Sequence, residues 1–217
     1  GTIDDVLYTI VDKDSLLIMI KKGRLLNRVC TSLMTDMSGL FSGEEAFNQD
    51  ISNWDVSNVN DMKSMFKNAV SFNQPIGVWD VSNVTRMGFM FSGATTFNQP
   101  IETWDVSKVN SMKAMFSCKI ITEFAFHQGQ KVIADIYLDY TIEPNFNQNI
   151  GSWNVSNVKN MDLMFAGALS FNQDLSSWNV SNVTSMGGMF YHASSFNQSL
   201  DSWDVSRNKI LIFGLYS

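Results

Sequence analysis

The sequence predicts an α/β solenoid, a stack of coils of about 25 residues in which each coil supplies a short parallel strand plus a short helix. Three observations lead there. The six tryptophans stand at 54, 79, 104, 153, 178 and 203, so their spacings are 25, 25, 49, 25 and 25 residues. The tripeptide Phe-Asn-Gln recurs in register, beginning at Phe47, Phe72, Phe97, Phe146, Phe171 and Phe196. Two methionine columns complete the pattern: Met62, Met87, Met112, Met161 and Met186, then Met65, Met90, Met115, Met164 and Met189, each of the second set followed by Phe.

Within a coil, Trp54-Asp55-Val56-Ser57 alternates apolar and polar, the period of a half-buried strand. Past Val59 the period changes. Met62, Met65 and Phe66 lie at i, i+3 and i+4, which predicts one face of a short helix. Asn60, Thr85, Asn110 and Thr184, two residues before the first methionine, suit an N-cap. Stacking would bury the Trp54, Trp79, Trp104, Trp153, Trp178 and Trp203 column as a structural ladder, since no single coil can cover its own Trp, Met and Phe. The column Asn48, Asn73, Asn98, Asn147, Asn172 and Asn197 is expected to satisfy backbone groups where the chain turns.

Residues 1–36 read as an N-terminal cap and a degenerate first coil. Asp14 is a suitable N-cap for a helix running through Ser15–Ile20 to Gly23, and Val29 stands at the tryptophan position with Met37 and Phe41 in register. Residues 37–116 and 145–206 are regular repeats. Between them, 117–144 lacks Trp and Phe-Asn-Gln, and three readings are open: a divergent coil that puts Tyr137 and Tyr140 at the methionine positions, a looped-out insertion, or an artefact of the coding sequence. Residues 207–217 form a tail or cap, with Ile210–Phe213 a candidate capping strand.

Composition excludes several classes. An apolar fraction of 45% fits a folded chain, and a net charge of −6 argues against a nucleic-acid partner. The apolar run Leu16–Ile20 is far shorter than the roughly 20 residues of a membrane span. No signal peptide is visible at Gly1, so the chain is expected to be cytosolic, an already processed secreted form, or a fragment. Cys30 and Cys118 form no Cys-x-x-Cys pair and are expected as free thiols. His127 and His192 have no in-register nucleophile or carboxylate, no nucleotide or protease motif occurs, and neither catalysis nor a cofactor is expected. Five Asn-x-Ser/Thr sequons begin at Asn83, Asn154, Asn179, Asn182 and Asn197, but the repeat itself generates them.

The outward columns are the candidate interaction face: Asp55, Asp80, Asp105, Asn154, Asn179 and Asp204, with Ser57, Ser82, Ser107, Ser156, Ser181 and Ser206 beside them. The plain expectation is that Asp and Ser cap a turn or keep the face soluble. A protein-binding face ranks next. A Ca²⁺ ladder on Asp55, Asp80 and Asp105 ranks last, because Asn154 and Asn179 interrupt it.

The motif Phe-Asn-Gln…Trp-Asp-Val-Ser-Asn-Val…Met…Met-Phe resembles the repeat of BspA-like leucine-rich-repeat surface proteins, and is similar to the repeat family of unknown function named after Mycoplasma lipoproteins. The resemblance covers roughly residues 25–206 apart from 117–144, and the leader Tyr8–Asp12 through Val29–Thr31 also looks like the segment preceding such repeats. It implies a right-handed, leucine-rich-repeat-like solenoid, secreted or on the cell surface, linked with adhesion. The expected function is a non-enzymatic module that binds a protein, or a glycan, on its sheet face. The alternative is an architectural subunit docked within a larger assembly.

Overall fold

A computed structural model describes residues 2–3, 6–127, 130–139 and 144–208. At the N-terminal end, β1 (Thr2–Ile3) pairs antiparallel with β2 (Val6–Leu7), and β3 (Thr9–Ile10) pairs parallel with β4 (Val29–Cys30). Between β3 and β4 runs α1 (Lys13–Lys21), whose buried residues are Leu16 and Ile20. Its N-cap is Asp12, not Asp14: Asp12 Oδ1 accepts the Ser15 N–H at 2.8 Å, and Asp14 sits in the first turn, where a carboxylate favours the helix dipole. Gly23, at φ +62°, ends the helix in the left-handed region that glycine enters without a Cβ clash.

From Asp36 onward the copies of the repeat lie side by side in parallel. Single bridges join Asp36 to Asp61, Asp61 to Arg86, Arg86 to Ser111, Ser111 to Asn160 and Asn160 to Ser185. Around each bridge the backbone is shared between copies. The N–H groups of Met62, Ser64, Phe66 and Asn68 donate to the carbonyls of Arg86, Gly88, Met90 and Ser92 at 2.8–3.0 Å, and Thr85 N–H donates back to Asn60 at 2.9 Å.

This sharing replaces the expected helix. Residues 63–66 and their equivalents in every regular copy are turns, because every second N–H leaves for the neighbour and cannot reach a carbonyl four residues back. Two four-residue turns follow one another instead, closed by Met65 N–H to Met62 O and by Ala69 N–H to Phe66 O. Their third residues, Ser64 and Asn68, have φ +57° and +58°, as a type II turn requires. Gly39, Gly43, Gly93, Gly167 and Gly188 occupy the same two columns elsewhere. Asn60, Thr85, Asn110 and Thr184 therefore cap no helix; they carry the ladder between copies.

The expected strand at Trp54–Ser57 is also absent. Asp55 Oδ1 accepts the Ser57 N–H at 3.0 Å and the Ser57 hydroxyl at 2.7 Å, and Val59 N–H closes a further turn on Val56. A short polar side chain that bonds its own backbone two residues on competes with a ladder and wins here.

The interior is columnar. Phe41, Phe66, Phe91, Phe116, Phe165 and Phe190 stack with centroids 5.4–5.8 Å apart. Phe47, Phe72, Phe97, Phe146, Phe171 and Phe196 form a second stack at 5.9–6.2 Å. The six tryptophans are buried in a third row, and each indole N–H reaches back to the preceding copy, from Trp54 to Leu26 O, Trp79 to Ile51 O, Trp104 to Ile76 O, Trp153 to Ile101 O, Trp178 to Ile150 O and Trp203 to Leu175 O, at 2.9–3.3 Å. The asparagine column takes up backbone groups of the following copy: Asn48 Oδ1 accepts Asn73 N–H at 3.0 Å and Gln74 Nε2 at 2.9 Å, a pattern continued to Asn197.

In the irregular segment, β5 (Lys119–His127) and β6 (Gln130–Asp139) form an antiparallel hairpin with a register shift at Glu123/Phe124. The copies on either side of it are bonded directly. Phe116 N–H donates to Met164 O at 2.9 Å, and Cys118 N–H to Ala166 O at 2.8 Å. Tyr137 pairs with Ile121 in the hairpin rather than standing in the methionine column. Tyr140 and the candidate strand Ile210–Phe213 lie outside the described residues.

Candidate functional site

The columns singled out in the sequence sit on one edge of every copy. Asp55, Asp80, Asp105, Asn154, Asn179 and Asp204 are all exposed, and each places Oδ1 on the N–H two residues ahead, Ser57, Ser82, Ser107, Ser156, Ser181 and Ser206, at 3.0–3.2 Å. The serines are therefore partners of the acidic column and not a row of free hydroxyls. A third column ties neighbouring copies together: the amides of Asn58, Asn83, Asn157 and Asn182 donate to the carbonyls of Ser32, Ser57, Ser107 and Ser156 at 2.7–2.9 Å. The side-chain nitrogens of the Asn83 and Asn182 sequons are thus committed to the backbone.

Electrostatics on this edge are balanced locally. The Ser82 hydroxyl and N–H hold the Asp80 carboxyl below the usual carboxylate range, with Lys108 assisting. Asp105 is lowered in the same way by Ser107, with Lys108 assisting and Asp80 opposing. The Ser206 N–H and hydroxyl lower Asp204, with Arg207 assisting. Lys108 Nζ sits 2.6 Å from Asn83 Oδ1, and Arg207 Nη1 lies 2.9 Å from Asn182 Oδ1. Turn bonds and Lys108 thus offset the repulsion between Asp80 and Asp105. Among the described residues no group of three or more His, Cys, Asp or Glu side chains is gathered for a metal ion.

The other candidates lie apart from this edge. His127 is in β5 opposite Gln130, and His192 is exposed at the end of the last regular copy, edge-on to Tyr191 at 4.4 Å. Cys30 and Cys118 are free thiols. Burial pushes the Cys118 thiol up to about 12, whereas the Ser32 hydroxyl, 3.2 Å from Cys30 Sγ, lowers Cys30. Among the described residues no helix is long and apolar enough to cross a membrane.

Sequence reasoning missed the bridge column, Asp36, Asp61, Arg86, Ser111, Asn160 and Ser185. Its residue type varies from copy to copy, so periodicity does not flag it. The available signal was its fixed place, one residue before the first methionine.

Two segments, residues 20–125 and 130–212, match one protein family, described as Mycoplasma protein of unknown function, DUF285. No curated protein and no solved structure matches the chain.

Proposed function

Because this chain belongs to the DUF285 family, a Mycoplasma group of tandem-repeat proteins whose function is unknown, we propose that it is a non-enzymatic recognition module that binds a protein, or a glycan, through the Asp55–Asp204 edge. One observation carries the reading. The same exposed polar group is repeated at every copy and held rigid by its own turn, so a partner would meet a preorganised row rather than mobile side chains, at little ordering cost.

The architecture belongs to the same proposal. Directly bonded copies, with columnar phenylalanine and tryptophan interiors, support a solenoid whose strand per coil is reduced to a bridge and whose helix is replaced by turns. Right-handed winding, kinship with BspA-like proteins, and a secreted or surface location are carried by the sequence resemblance. The division into a cap and degenerate first coil at 1–36, repeats at 37–116 and 145–206, a divergent coil or insertion at 117–144, and a tail or cap at 207–217 rests on the register of the repeat columns.

The test is retention of a partner from the source organism on the immobilised chain, compared with the variant Asp55→Lys/Asp80→Lys/Asp105→Lys. A partner held by the wild type and lost by a variant of equal melting temperature supports the edge. Equal retention by both overturns it.

The alternative, an architectural subunit, has an observation of its own. At the N-terminal end Ile10, Leu25 and Leu33 are 61%, 75% and 73% exposed, a cost that docking would remove. Light scattering after gel filtration separates the two: a recognition module runs as a monomer, and a docked subunit self-associates when alone.

A further inference from the structure

Side chains of the bridge column have a local task. Asp36 Oδ1 accepts the N–H of Ser38 at 2.7 Å, Asp61 Oδ1 that of Lys63 at 2.9 Å, and Asn160 Oδ1 that of Asp162 at 2.9 Å. In the copy that carries Ser185, the equivalent N–H, on Gly187, goes to Oδ1 of Asp162 one copy back at 2.8 Å. Each of these four N–H groups therefore meets a carboxylate or amide oxygen.

Two adjacent copies depart from the rule. Their bridging residues are Arg86 and Ser111, and neither side chain accepts the N–H two residues ahead. Among the described residues, the N–H groups of Gly88 and Lys113 meet no acceptor. Gly88 is buried, where an orphaned N–H is rare and calls for a partner.

The surroundings indicate the sign of that partner. Lys63, Arg86, Gly88, Phe89, Ser111 and Lys113 line a cavity of about 200 Å³. Three of these lining residues, Lys63, Arg86 and Lys113, are cationic and none is a carboxylate, on a chain whose net charge is −6; Arg86 Nη2 pairs with Asp61 Oδ2 at 2.5 Å. Lys67 adds a further cation, its Nζ 5.5 Å from the centre of the Phe89 ring.

We propose that this cavity is a carboxylate site that receives an Asp or Glu side chain from an acidic segment of the protein partner. The proposal rests on the protein-binding reading above and moves it to a second face. The incoming oxygens would stand where those of Asp36, Asp61 and Asp162 stand in the other copies, accepting from Gly88 and Lys113 and pairing with Lys63 and Lys113. A carboxylate is favoured over a phosphate because this position binds a planar side-chain oxygen in each of the other four copies. A peptide is favoured over a free acid because the half-buried Phe89 ring offers apolar surface beside the charge.

The test uses the whole chain and a fluorescein-labelled hexa-aspartate peptide, followed by anisotropy at about 50 mM salt, where exposed charges are least screened. Saturable binding of hexa-aspartate, with none of hexa-asparagine, is expected. Ser111→Asp supplies an internal acceptor for Lys113 N–H, so it should weaken binding about 10-fold or more while the melting temperature stays level or rises. Lys63→Ala/Lys113→Ala should weaken binding to a similar degree, and Lys159→Ala, a cation of another copy, should not. Equal binding of hexa-asparagine, undiminished binding by Ser111→Asp and the double variant, or displacement by inorganic phosphate as effective as by unlabelled peptide would overturn the assignment. The outcomes are separable from those of the preceding proposal. A native partner held equally by the wild type and Ser111→Asp sinks this site and leaves protein binding standing, whereas a wild type that retains no partner sinks the protein-binding reading itself.

Discussion

The indole of Trp104 donates to the carbonyl of Ile76 at 3.2 Å, 28 residues back in the chain and one copy back in the stack. A single side chain thereby fills the interior of its own copy and caps a backbone acceptor of its neighbour. Trp104→Phe keeps most of the volume and removes one of two donors to that carbonyl, the N–H of Trp79 remaining on it at 3.1 Å, at an expected cost of about 0.5–1.5 kcal/mol. Trp104→Ala adds a cavity and should cost about 3–5 kcal/mol. Urea unfolding midpoints measure both; equal losses for the two variants would mean that the hydrogen bond, and not packing, carries the effect.

Residues 119–142 are expected to be dispensable for folding. Their removal takes 24 residues from the 49 between Trp104 and Trp153 and restores 49 − 24 = 25, the spacing of every other pair. The flanking copies are already bonded through Phe116 to Met164 and Ser111 to Asn160, so no contact between copies has to be rebuilt. Circular dichroism should show one cooperative melt at or above that of the intact chain. A broadened or lower melt would show that the hairpin supports the stack.

Acid should weaken the fold through the exposed edge. Asp80, Asp105 and Asp204 titrate below the usual carboxylate range because serine donors stabilise the charged form. A lowered folded-state value means that the stabilisation is present above the unfolded value of about 3.9 and disappears as pH falls through the folded one. Asp80→Asn/Asp105→Asn should leave the neutral-pH melt unchanged, as Asn154 and Asn179 make the same turn, and should flatten the decline below about pH 4. Adding calcium should shift neither melt.

The two cysteines should differ in reactivity. Cys30, half-buried and lowered by Ser32, is expected to react with a disulfide reagent within minutes, whereas Cys118, buried and raised to about 12, should react only on unfolding. Thiol counting before and after denaturant checks it: two fast thiols in the native chain would contradict the packing of Cys118 against Ala166.

The sequence made the buried set legible and misjudged the elements that bury it. Met62, Met65 and Phe66 are inside, as their spacing predicts, but two consecutive turns bring residues i, i+3 and i+4 to one side as well as a helix does. Gly39, Gly43, Gly93 and Gly167 were visible hints of left-handed positions. Ser64, Phe89 and Leu163 hid the pattern, because they adopt positive φ only under the constraint of bonds to the next copy. At the edge, Asp55 and Ser57 stand out in the sequence as a column, yet alternation alone does not distinguish a pleated strand from a side chain folded onto its own backbone. The bridge column went unnoticed because its function resides in differences between copies, whereas a repeat search rewards sameness.

The asparagine column has an evolutionary corollary. Asn48 offers its oxygen forward to Asn73, and Asn73 offers its own forward to Asn98, so every unit is head-to-tail and none is self-sufficient. A gene encoding such a protein can lengthen or shorten its paired ladder only by whole modules, and extra residues of another length have to loop out, as the hairpin does between Asn98 and Asn147. Any other in-frame duplication within the ladder would bring an amide oxygen opposite the wrong neighbour.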